Sequence, residues 1–265
     1  MLGALTDCRA ALVIAHPGHE LRVFSWLRLA RPCVFVLTDG SGRSGASRLH
    51  QTTNILKDAG ARPGSIYGRF TDGEIYAAIL NHETWCFADL AVELAAALRD
   101  EQIDYVVSDA VEGYNPAHDI CHSITSAAVE SLGKTGRGLQ HFEVLLAQRH
   151  GSALAASPDL ISIQVSPAML TEKVQAAGNY SELASELDRI FQQEGIDAFK
   201  TEWMRRTKPL GFAAAAPPFY ETYGEQQVKR GYYREIIRYR EHIMPILEAL
   251  QEFAAGKVRR ASCGS

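Results

Sequence analysis

The stretch ALVIAHPGHE, residues 11–20, joins a short apolar run to two histidines and is the feature from which the fold can be predicted. Its first five residues are continuously apolar, as expected of a strand covered on both faces. His16 and His19 follow, where that strand would end and a helix would begin. A second apolar run, CVFVL at 33–37, ends near Asp39, and the residues between the runs have helical spacing. The pattern predicts a βαβ unit with histidines at a strand end.

The rest of the chain continues this alternation of strands and helices. Strands are predicted at 65–70, 105–107, 141–147 and 160–165, with helices at 47–59, 83–100 and 116–132 and a charged helix that includes Glu182, Glu186 and Asp188. This order predicts an α/β fold with a doubly wound, mainly parallel, Rossmann-like sheet. From Pro217 the sequence becomes rich in Tyr and Arg and ends in a long helix. We therefore predict an α/β domain over 1–216 and a helical extension over 217–265 packed on that domain.

Composition narrows the classes of function. The chain has 27 basic and 31 acidic residues and a net charge of -4, which argues against a nucleic-acid partner because no basic face is concentrated. The N-terminal apolar run is too short for a signal peptide, and no stretch is long enough for membrane insertion. Five cysteines without a CxxC pair indicate reduced thiols. The sequence predicts a cytoplasmic protein and leaves open whether it forms a homo-oligomer.

Three histidines are predicted to meet at one edge of the sheet. His118 lies in the first turn of the predicted 116–132 helix, after the strand at 105–107, and therefore at the same carboxyl edge as His16 and His19. Catalytic zinc takes three protein ligands and keeps a fourth position for water or substrate. The sequence predicts one zinc ion per chain, held by these three imidazoles. His122, four residues after His118, is the alternative ligand.

Four short motifs carry a family resemblance. They read AHPGHE at 15–20, TDG at 38–40, DG at 72–73 and NPAH at 115–118. Through them, about the first 135 residues resemble the PIG-L/LmbE-like family of zinc-dependent de-N-acetylases, whose two main motifs read AHPDDE and HPDH. The resemblance implies the same α/β fold and places His16, His19 and His118 at the zinc-ligand positions, with a histidine where the family has its aspartate ligand.

Two positions depart from the family pattern. Gly18 stands where the family has its general base, and Asn115 stands where it has a histidine that stabilises the tetrahedral intermediate or protonates the leaving amine. An Asn side chain can donate a hydrogen bond to an oxyanion but cannot transfer a proton at neutral pH. Tyr114 and Asn115 are therefore the candidate oxyanion donors, and the base is unassigned. Tyr114 is equally consistent with an ordinary loop aromatic.

Several charged residues near the predicted strand ends have two interpretations each. Glu20 and Asp39 are candidate catalytic carboxylates, but Glu20 also suits the first turn of a helix, while Asp39 and Asp109 also suit the role of an acceptor that orients a ligand histidine. Arg69 and Asp72 are candidate substrate-binding residues, and they fit a strand-end charge and a turn equally well.

The sequence as a whole favours a zinc-dependent hydrolase of an amide C–N bond. The resemblance implies removal of an acetyl group from an N-acetylated sugar or amino-sugar conjugate, with zinc polarising the acyl oxygen and activating water. The expected partner is a small-molecule or glycan-type substrate. Two alternatives stay open because of Gly18: a metal-bearing binding protein without deacetylase activity, and a zinc-assisted enzyme of a biosynthetic pathway.

Overall fold

A seven-stranded, mostly parallel sheet forms the centre of the molecule. The computed structural model describes residues 8–42, 44–146, 160–180, 192, 195–207 and 217–257. In this part of the chain the strand order is β3-β2-β1-β4-β5-β7-β6. The strands are β1 Ala10–Ile14, β2 Cys33–Thr38, β3 Arg62–Phe70, β4 Tyr105–Asp109, β5 Gln140–Val144, β6 Leu160–Gln164 and β7 Thr201–Arg206. β1 to β5 pair in parallel, whereas β7 runs antiparallel to both β5 and β6. The predicted doubly wound α/β class is confirmed.

Helices cover both faces of the sheet. They are α1 Phe24–Ala30, α2 Leu49–Ala59, α3 Asp72–Leu80, α4 Thr84–Asp100, α5 Pro116–Lys134, α6 Pro167–Gly178, α7 Phe219–Lys229 and α8 Met244–Ala254. A 3-10 turn, His19–Val23, leads into α1, and a π turn, Tyr239–Ile243, leads into α8. Short elements thus replace the single helix predicted to begin at His19 and the one long helix predicted at the C-terminal end.

Alternate residues of the central strands feed two separate hydrophobic cores. Along β1, Ala11 and Val13 belong to the core under α3, α4, α5 and α8, while Leu12 and Ile14 belong to the core under α1, α2 and α6. Every residue of β1, β2 and β4 is buried, which explains why these strands were visible as continuous apolar runs. Helix α8 packs against α4 and α5, so the C-terminal residues share the first core.

The sequence reading missed two elements. Helix α3 was read as a turn, although Thr71 and Glu74 form a capping box at its start. Strand β7 was not predicted, and it lies between β5 and β6, which correspond to the strands predicted at 141–147 and 160–165. The predicted helix with Glu182, Glu186 and Asp188 lies outside the described residues. Within the part that is described, no helix is long and apolar enough to cross a membrane.

This topology gathers the motif residues at one edge. Strands β2, β1 and β4 are neighbours and run in the same direction, so their carboxyl ends lie side by side. The loop after β1 carries His16 and His19, the loop after β2 carries Asp39, and α5 follows β4 with His118 in its first turn. The candidate site is therefore built on the rigid centre of the sheet.

Candidate metal centre

The three histidines that the sequence singled out lie together. Their ring centroids are 5.4 Å apart for His16 and His19, 5.1 Å for His16 and His118, and 4.5 Å for His19 and His118. His16 and His118 are buried and His19 is partly buried. The end of β1 and the start of α5 thus bring three imidazoles together at the edge of the sheet.

His16 has the hydrogen-bonding pattern of a metal ligand. Its Nδ1 lies 2.9 Å from Oδ1 of Asp72 and 2.8 Å from Oγ1 of Thr38. Burial tends to raise the pKa of Asp72, but hydrogen bonds from His16, Thr38 and Gly42 lower it below its ordinary value. An ionised carboxylate only accepts hydrogen bonds, so Nδ1 of His16 carries the hydrogen and Nε2 presents its lone pair. That Nε2 atom is buried and has no hydrogen-bond partner.

His19 has a matching partner on the other side of β1. Its Nδ1 lies 2.9 Å from Oδ2 of Asp109, the last residue of β4. The same oxygen accepts the backbone N–H of Ala15 at 2.7 Å, which ties the end of β1 to the end of β4. Carboxylates that hold the second nitrogen of a ligand histidine are typical of zinc sites, because they fix the tautomer and the ring orientation.

Burial keeps two of the imidazoles neutral. Desolvation lowers the pKa of His118 well below its ordinary value, and the neighbouring His19 and His16 lower it further. Burial also lowers the pKa of His16, against the opposing hydrogen bond to Asp72. A metal ligand has to be the neutral imidazole. The protonation state and the donor set therefore fit a divalent metal such as zinc.

The cluster is wider than a closed zinc site. Zinc–nitrogen bonds of about 2.0–2.1 Å place tetrahedral ligand nitrogens about 3.4 Å apart. Among the described residues, one ligand atom from each of His82, Glu241 and His242 lies within 4.8 Å of the other two. The nitrogens of His16, His19 and His118 do not meet that spacing. The rings would have to close slightly around an ion. The unpartnered Nε2 of His16 leaves an atom available for that closure.

The group formed by His82, Glu241 and His242 is less suited to a metal than its spacing suggests. The rings of His82 and His242 stack on each other with centroids 4.9 Å apart. The backbone N–H of Arg238 donates to Nδ1 of His242 at 3.0 Å. In a neutral imidazole the hydrogen then sits on Nε2, which leaves no free lone pair for an ion.

Glu20, a candidate base, is fully occupied by hydrogen bonds. Its side chain is completely buried; Oε2 accepts the backbone N–H of Gly18 at 2.8 Å, and Oε1 accepts the hydroxyl of Tyr180. The Tyr180 hydroxyl also contacts Oγ1 of Thr52 in α2 at 2.9 Å. Burial raises the pKa of Glu20, while the hydrogen bond from Tyr180 opposes that rise. Through these hydrogen bonds, Glu20 stabilises the loop that carries the histidines.

Gly18, which stands where the resemblance implied a general base, has a backbone conformation that favours glycine. Its φ is 107° and its ψ is -22°, and it precedes the 3-10 turn that begins at His19. A side chain at such a φ is strained, and even Asn and Asp prefer values closer to +60°. The glycine therefore belongs to the local shape of this loop, which differs from what a family-like aspartate would favour.

Tyr114 and Asn115, the candidate oxyanion donors, precede α5. Oδ1 of Asn115 caps the helix by accepting the backbone N–H of Ala117 at 2.8 Å, and it also accepts the hydroxyl of Tyr76 at 3.1 Å. With its oxygen engaged, the amide Nδ2 is the group of Asn115 that can donate to a ligand. Tyr114 is half exposed and stacks on Phe219, with ring centroids 5.3 Å apart. Sequence reasoning missed Tyr76, because α3 was not predicted.

The remaining candidates have local partners. Asp39 accepts the backbone N–H of Ser41 at 2.9 Å, so it shapes the loop after β2. Arg69 forms an exposed ion pair with Glu93 of α4, at 2.6 Å between Nη2 and Oε1. Asp72, which the sequence offered for substrate binding, instead contacts His16. Glu93 neutralises the charge of Arg69 in this pair. The role of Arg69 in substrate binding stays a prediction.

His122, the alternative ligand, points towards the sheet. Its Nδ1 lies 2.9 Å from the backbone oxygen of Asp109, and its ring stacks on His141 at 5.3 Å. His141 in turn contacts Oγ of Ser108 at 2.8 Å. All four residues are buried, and burial lowers the pKa of both histidines. This network, unseen in the sequence, supports the strand end that holds His19.

The fold itself is that of known deacetylases. No family model and no curated protein matches the sequence. Among solved structures, however, the α/β fold matches a group of deacetylase structures with high probability. Identities below 20% establish a common fold and do not by themselves transfer an activity.

Three of these structures are deacetylases named for teicoplanin or for the antimicrobial reagent A40926. They are the zinc-inhibited form of teicoplanin deacetylase Orf2, at 13% identity and a TM-score of 0.53; the A40926 pseudoaglycone deacetylase Dbv21, at 17% and 0.55; and a deacetylase–bog complex from the teicoplanin biosynthesis pathway, at 16% and 0.52. The matches cover 76%, 78% and 76% of this chain and 99% of each of the three. The fold matches thus include nearly the whole of each relative.

Proposed function

We propose that this protein is a zinc-dependent hydrolase that removes an acetyl group from an N-acetylated sugar or amino-sugar conjugate. The observation that carries the proposal is the buried, unpartnered Nε2 of His16, in a cluster with His19 and His118. Asp72 and Asp109 hold the other nitrogens of His16 and His19. The deacetylase names of the proteins with this fold favour the same reaction class.

His16, His19 and His118 would hold one zinc ion per chain. When bound, such an ion would polarise an acyl oxygen and lower the pKa of a water ligand. Asp72 would orient the imidazole of His16, and Asp109 would orient that of His19. The low charge of the buried histidines avoids repulsion with a cation.

Asn115 would contribute to the stabilisation of the developing oxyanion through its Nδ2 amide. Its orientation is fixed because Oδ1 accepts two hydrogen bonds, from Ala117 and Tyr76. A preorganised donor of this kind is worth about 10²–10³ in rate in well-studied hydrolases. Tyr114 is the second proposed donor. Glu20 does not suit the role of base, since both its oxygens already accept hydrogen bonds.

The free thiols are consistent with action in the cytoplasm. Among the described residues, Cys33, Cys86 and Cys121 are free thiols, and Cys33 and Cys121 are buried. Burial raises the pKa of Cys33 to about 11, which makes its thiol unreactive. We include a cytoplasmic location and a soluble, glycan-type substrate in the proposal.

Metal content and acetate release test the proposal. Purified protein should contain close to one zinc per chain by inductively coupled plasma mass spectrometry, and His118→Ala should lose most of it. His50→Ala is the matched control, because His50 is an exposed histidine on α2. Acetate release from N-acetylglucosamine conjugates should disappear with chelation and return with zinc. Unchanged metal content in His118→Ala would show that the three-histidine centre is wrong.

A second candidate function is a metal-bearing binding protein without turnover. It is favoured by Gly18, whose position holds no carboxylate, and by the occupied oxygens of Glu20. This alternative predicts stoichiometric zinc and ligand binding without any acetate release.

A further inference from the structure

Four partly exposed aromatic side chains form a continuous surface beside the candidate site. We call Tyr114, Phe219, Tyr223 and Tyr233 the aromatic ledge. Tyr114 and Phe219 are 50% and 52% exposed, and their rings are parallel within 2°. Phe219 stacks on Tyr223 with centroids 5.7 Å apart, and Tyr223 meets Tyr233 edge-on at 6.4 Å. Contiguous exposed aromatic rings are typical of a ligand-binding surface.

The ledge is joined to the candidate metal centre by the backbone. Tyr114 directly precedes Asn115, the N-cap of the helix that carries His118. The backbone N–H of Tyr220 donates to the carbonyl oxygen of Gly113 at 3.3 Å, which fastens the start of α7 to the loop before α5. A side chain at Gly113 would meet Cβ of Pro218 at 3.2 Å, so the two segments are closely packed. The position of the ledge is therefore fixed relative to His118.

Tyr76 connects the two regions from below. Its hydroxyl donates to Asn115. Burial raises the pKa of Tyr76, and the charges of Asp72, Tyr233 and Tyr223 raise it further. A ligand whose reacting group lies near Asn115 would thus extend over the rings of the ledge.

The chemistry of the ledge suits a neutral ring with both polar and apolar faces. Three of its four residues are tyrosines, which offer a flat apolar face and a hydroxyl at the rim. The nearby guanidinium of Arg238 lies 3.3 Å from Glu225 and 3.7 Å from Glu221, so its charge is balanced by carboxylates of α7. An anionic ligand would gain little there. The surface is also open, whereas an aliphatic chain is better sheltered in an enclosed groove.

We propose that the aromatic ledge binds a pyranose ring of the substrate's glycan, one or two residues away from the N-acetylated sugar. This inference rests on the proposed function of the metal centre and specifies its substrate as an oligosaccharide or glycoside. The C–H face of the sugar stacks on Phe219 and Tyr223, while its hydroxyls meet the tyrosine rims. A free monosaccharide would occupy the metal centre without reaching the ledge.

Binding of chitotriose and of N-acetylglucosamine to the full chain tests this inference. By isothermal titration calorimetry, chitotriose should bind more tightly than the monosaccharide. Phe219→Ala should weaken chitotriose binding about tenfold, in the range of one aromatic contact, and leave N-acetylglucosamine binding unchanged. Phe219→Leu, which keeps apolar bulk at the start of α7, should weaken it similarly if the ring face matters. Trp85→Ala is the matched control, because Trp85 is an exposed aromatic on α4.

The outcomes separate this inference from the proposed function. His118→Ala should lose zinc. In that background, Phe219→Ala should still weaken chitotriose binding about as much as it does in the wild type. If acetate is released but Phe219→Ala and Phe219→Leu bind chitotriose as wild type does, the ledge assignment is wrong and the hydrolase stands. A lack of measurable chitotriose binding by the wild type also overturns it. If the variants weaken the binding of N-octanoylglucosamine alone, the inference is also wrong, because the ledge would then bind an acyl chain. If they convert a dimer to a monomer in analytical ultracentrifugation, the ledge contacts a second copy of the chain.

Discussion

The imidazole of His16 and the carboxylate of Asp72 form a hydrogen bond of 2.9 Å that leaves Nε2 of His16, with its lone pair, buried and without a hydrogen-bond partner. Thr38 donates to the same carboxylate oxygen at 2.6 Å, and Gly42 donates to the other at 2.6 Å. The carboxylate is thus held by three hydrogen bonds from two segments of the chain, the loop after β1 and the end of β2 with its loop. Its main structural effect is to fix one ring of the histidine cluster.

Asp72→Ala should weaken zinc binding by about 10–100-fold, because His16 would lose the acceptor that sets its tautomer and orientation. Asp72→Asn should have a smaller effect, since an amide oxygen can still accept from Nδ1. Competition with a chromophoric chelator measures the zinc affinity. Asp58→Ala, an exposed carboxylate on α2, is the control. If Asp72→Ala raises KM while zinc affinity stays at the wild-type value, the residue binds substrate, as the sequence first suggested.

Glu202 and Lys173 form a buried ion pair that holds the second core together. Oε1 of Glu202 accepts from Nζ of Lys173 at 2.8 Å and from the backbone N–H of Ser25 at 2.8 Å, while Oε2 accepts from Trp26 at 3.1 Å. Burial lowers the pKa of Lys173, and the charge of Glu202 opposes that effect. The carboxylate also satisfies backbone N–H groups at the start of α1, which have no partner within the helix.

Glu202→Gln should lower the free energy of unfolding by about 3–5 kcal/mol, because the ammonium group of Lys173 would be left buried without a compensating charge. Urea denaturation should show a lower midpoint with an unchanged slope. Glu172→Gln, on α6 beside Lys173, is the matched control. The ion pair of Glu172 with Arg28 is partly exposed and should be worth about 0–1 kcal/mol. Equal effects of the two substitutions would show that burial does not govern this pair.

The positions of the three histidines could be predicted because each follows a recognisable element. His16 and His19 end a continuous apolar run, and His118 follows a proline that starts a helix. Their acceptors could not be assigned in the same way. Asp72 lies 56 residues from His16, and its role depends on how α3 packs near the end of β2. Spacing along the sequence carries no information about such a contact.

Strand β7 was missed for a physical reason. Its sequence, TEWMRR, is short, carries three charges and lacks the regular alternation of polar and apolar residues that indicates a half-buried strand. It pairs antiparallel near one side of the sheet, where only one face needs apolar residues, and its buried Glu202 breaks even that pattern. Helix α3 had a usable signal, the capping box of Thr71 and Glu74, which was read only as a turn.

Tyr76→Phe should lower kcat about 3–10-fold without changing the zinc content. The substitution removes the hydroxyl that donates to Oδ1 of Asn115, so the amide of Asn115 becomes less firmly oriented while its bond to Ala117 persists. Acetate release gives kcat and KM, and mass spectrometry gives the metal content. Tyr67→Phe is the control, because the hydroxyl of Tyr67, a half-buried residue of β3, also hydrogen-bonds a side chain, that of Thr53. A fall in zinc content with Tyr76→Phe would place this tyrosine in metal binding instead.

Gly18→Asp should separate the effect of a missing base from the effect of the loop conformation. A side chain at φ 107° should cost about 1–3 kcal/mol of stability, and this cost applies equally to Gly18→Asn, which has the same shape without a proton-accepting carboxylate. If the protein is a hydrolase limited by the absence of a base, Gly18→Asp should release acetate about 10²-fold faster than Gly18→Asn at equal zinc content. Equal rates in the two variants, both folded by circular dichroism, would mean that an aspartate at this position does not supply the base. If both variants and the wild type bind zinc but release no detectable acetate, the binding protein without turnover is favoured instead. The hydrogen bond from Gly18 to Glu20 would then serve only to shape the loop.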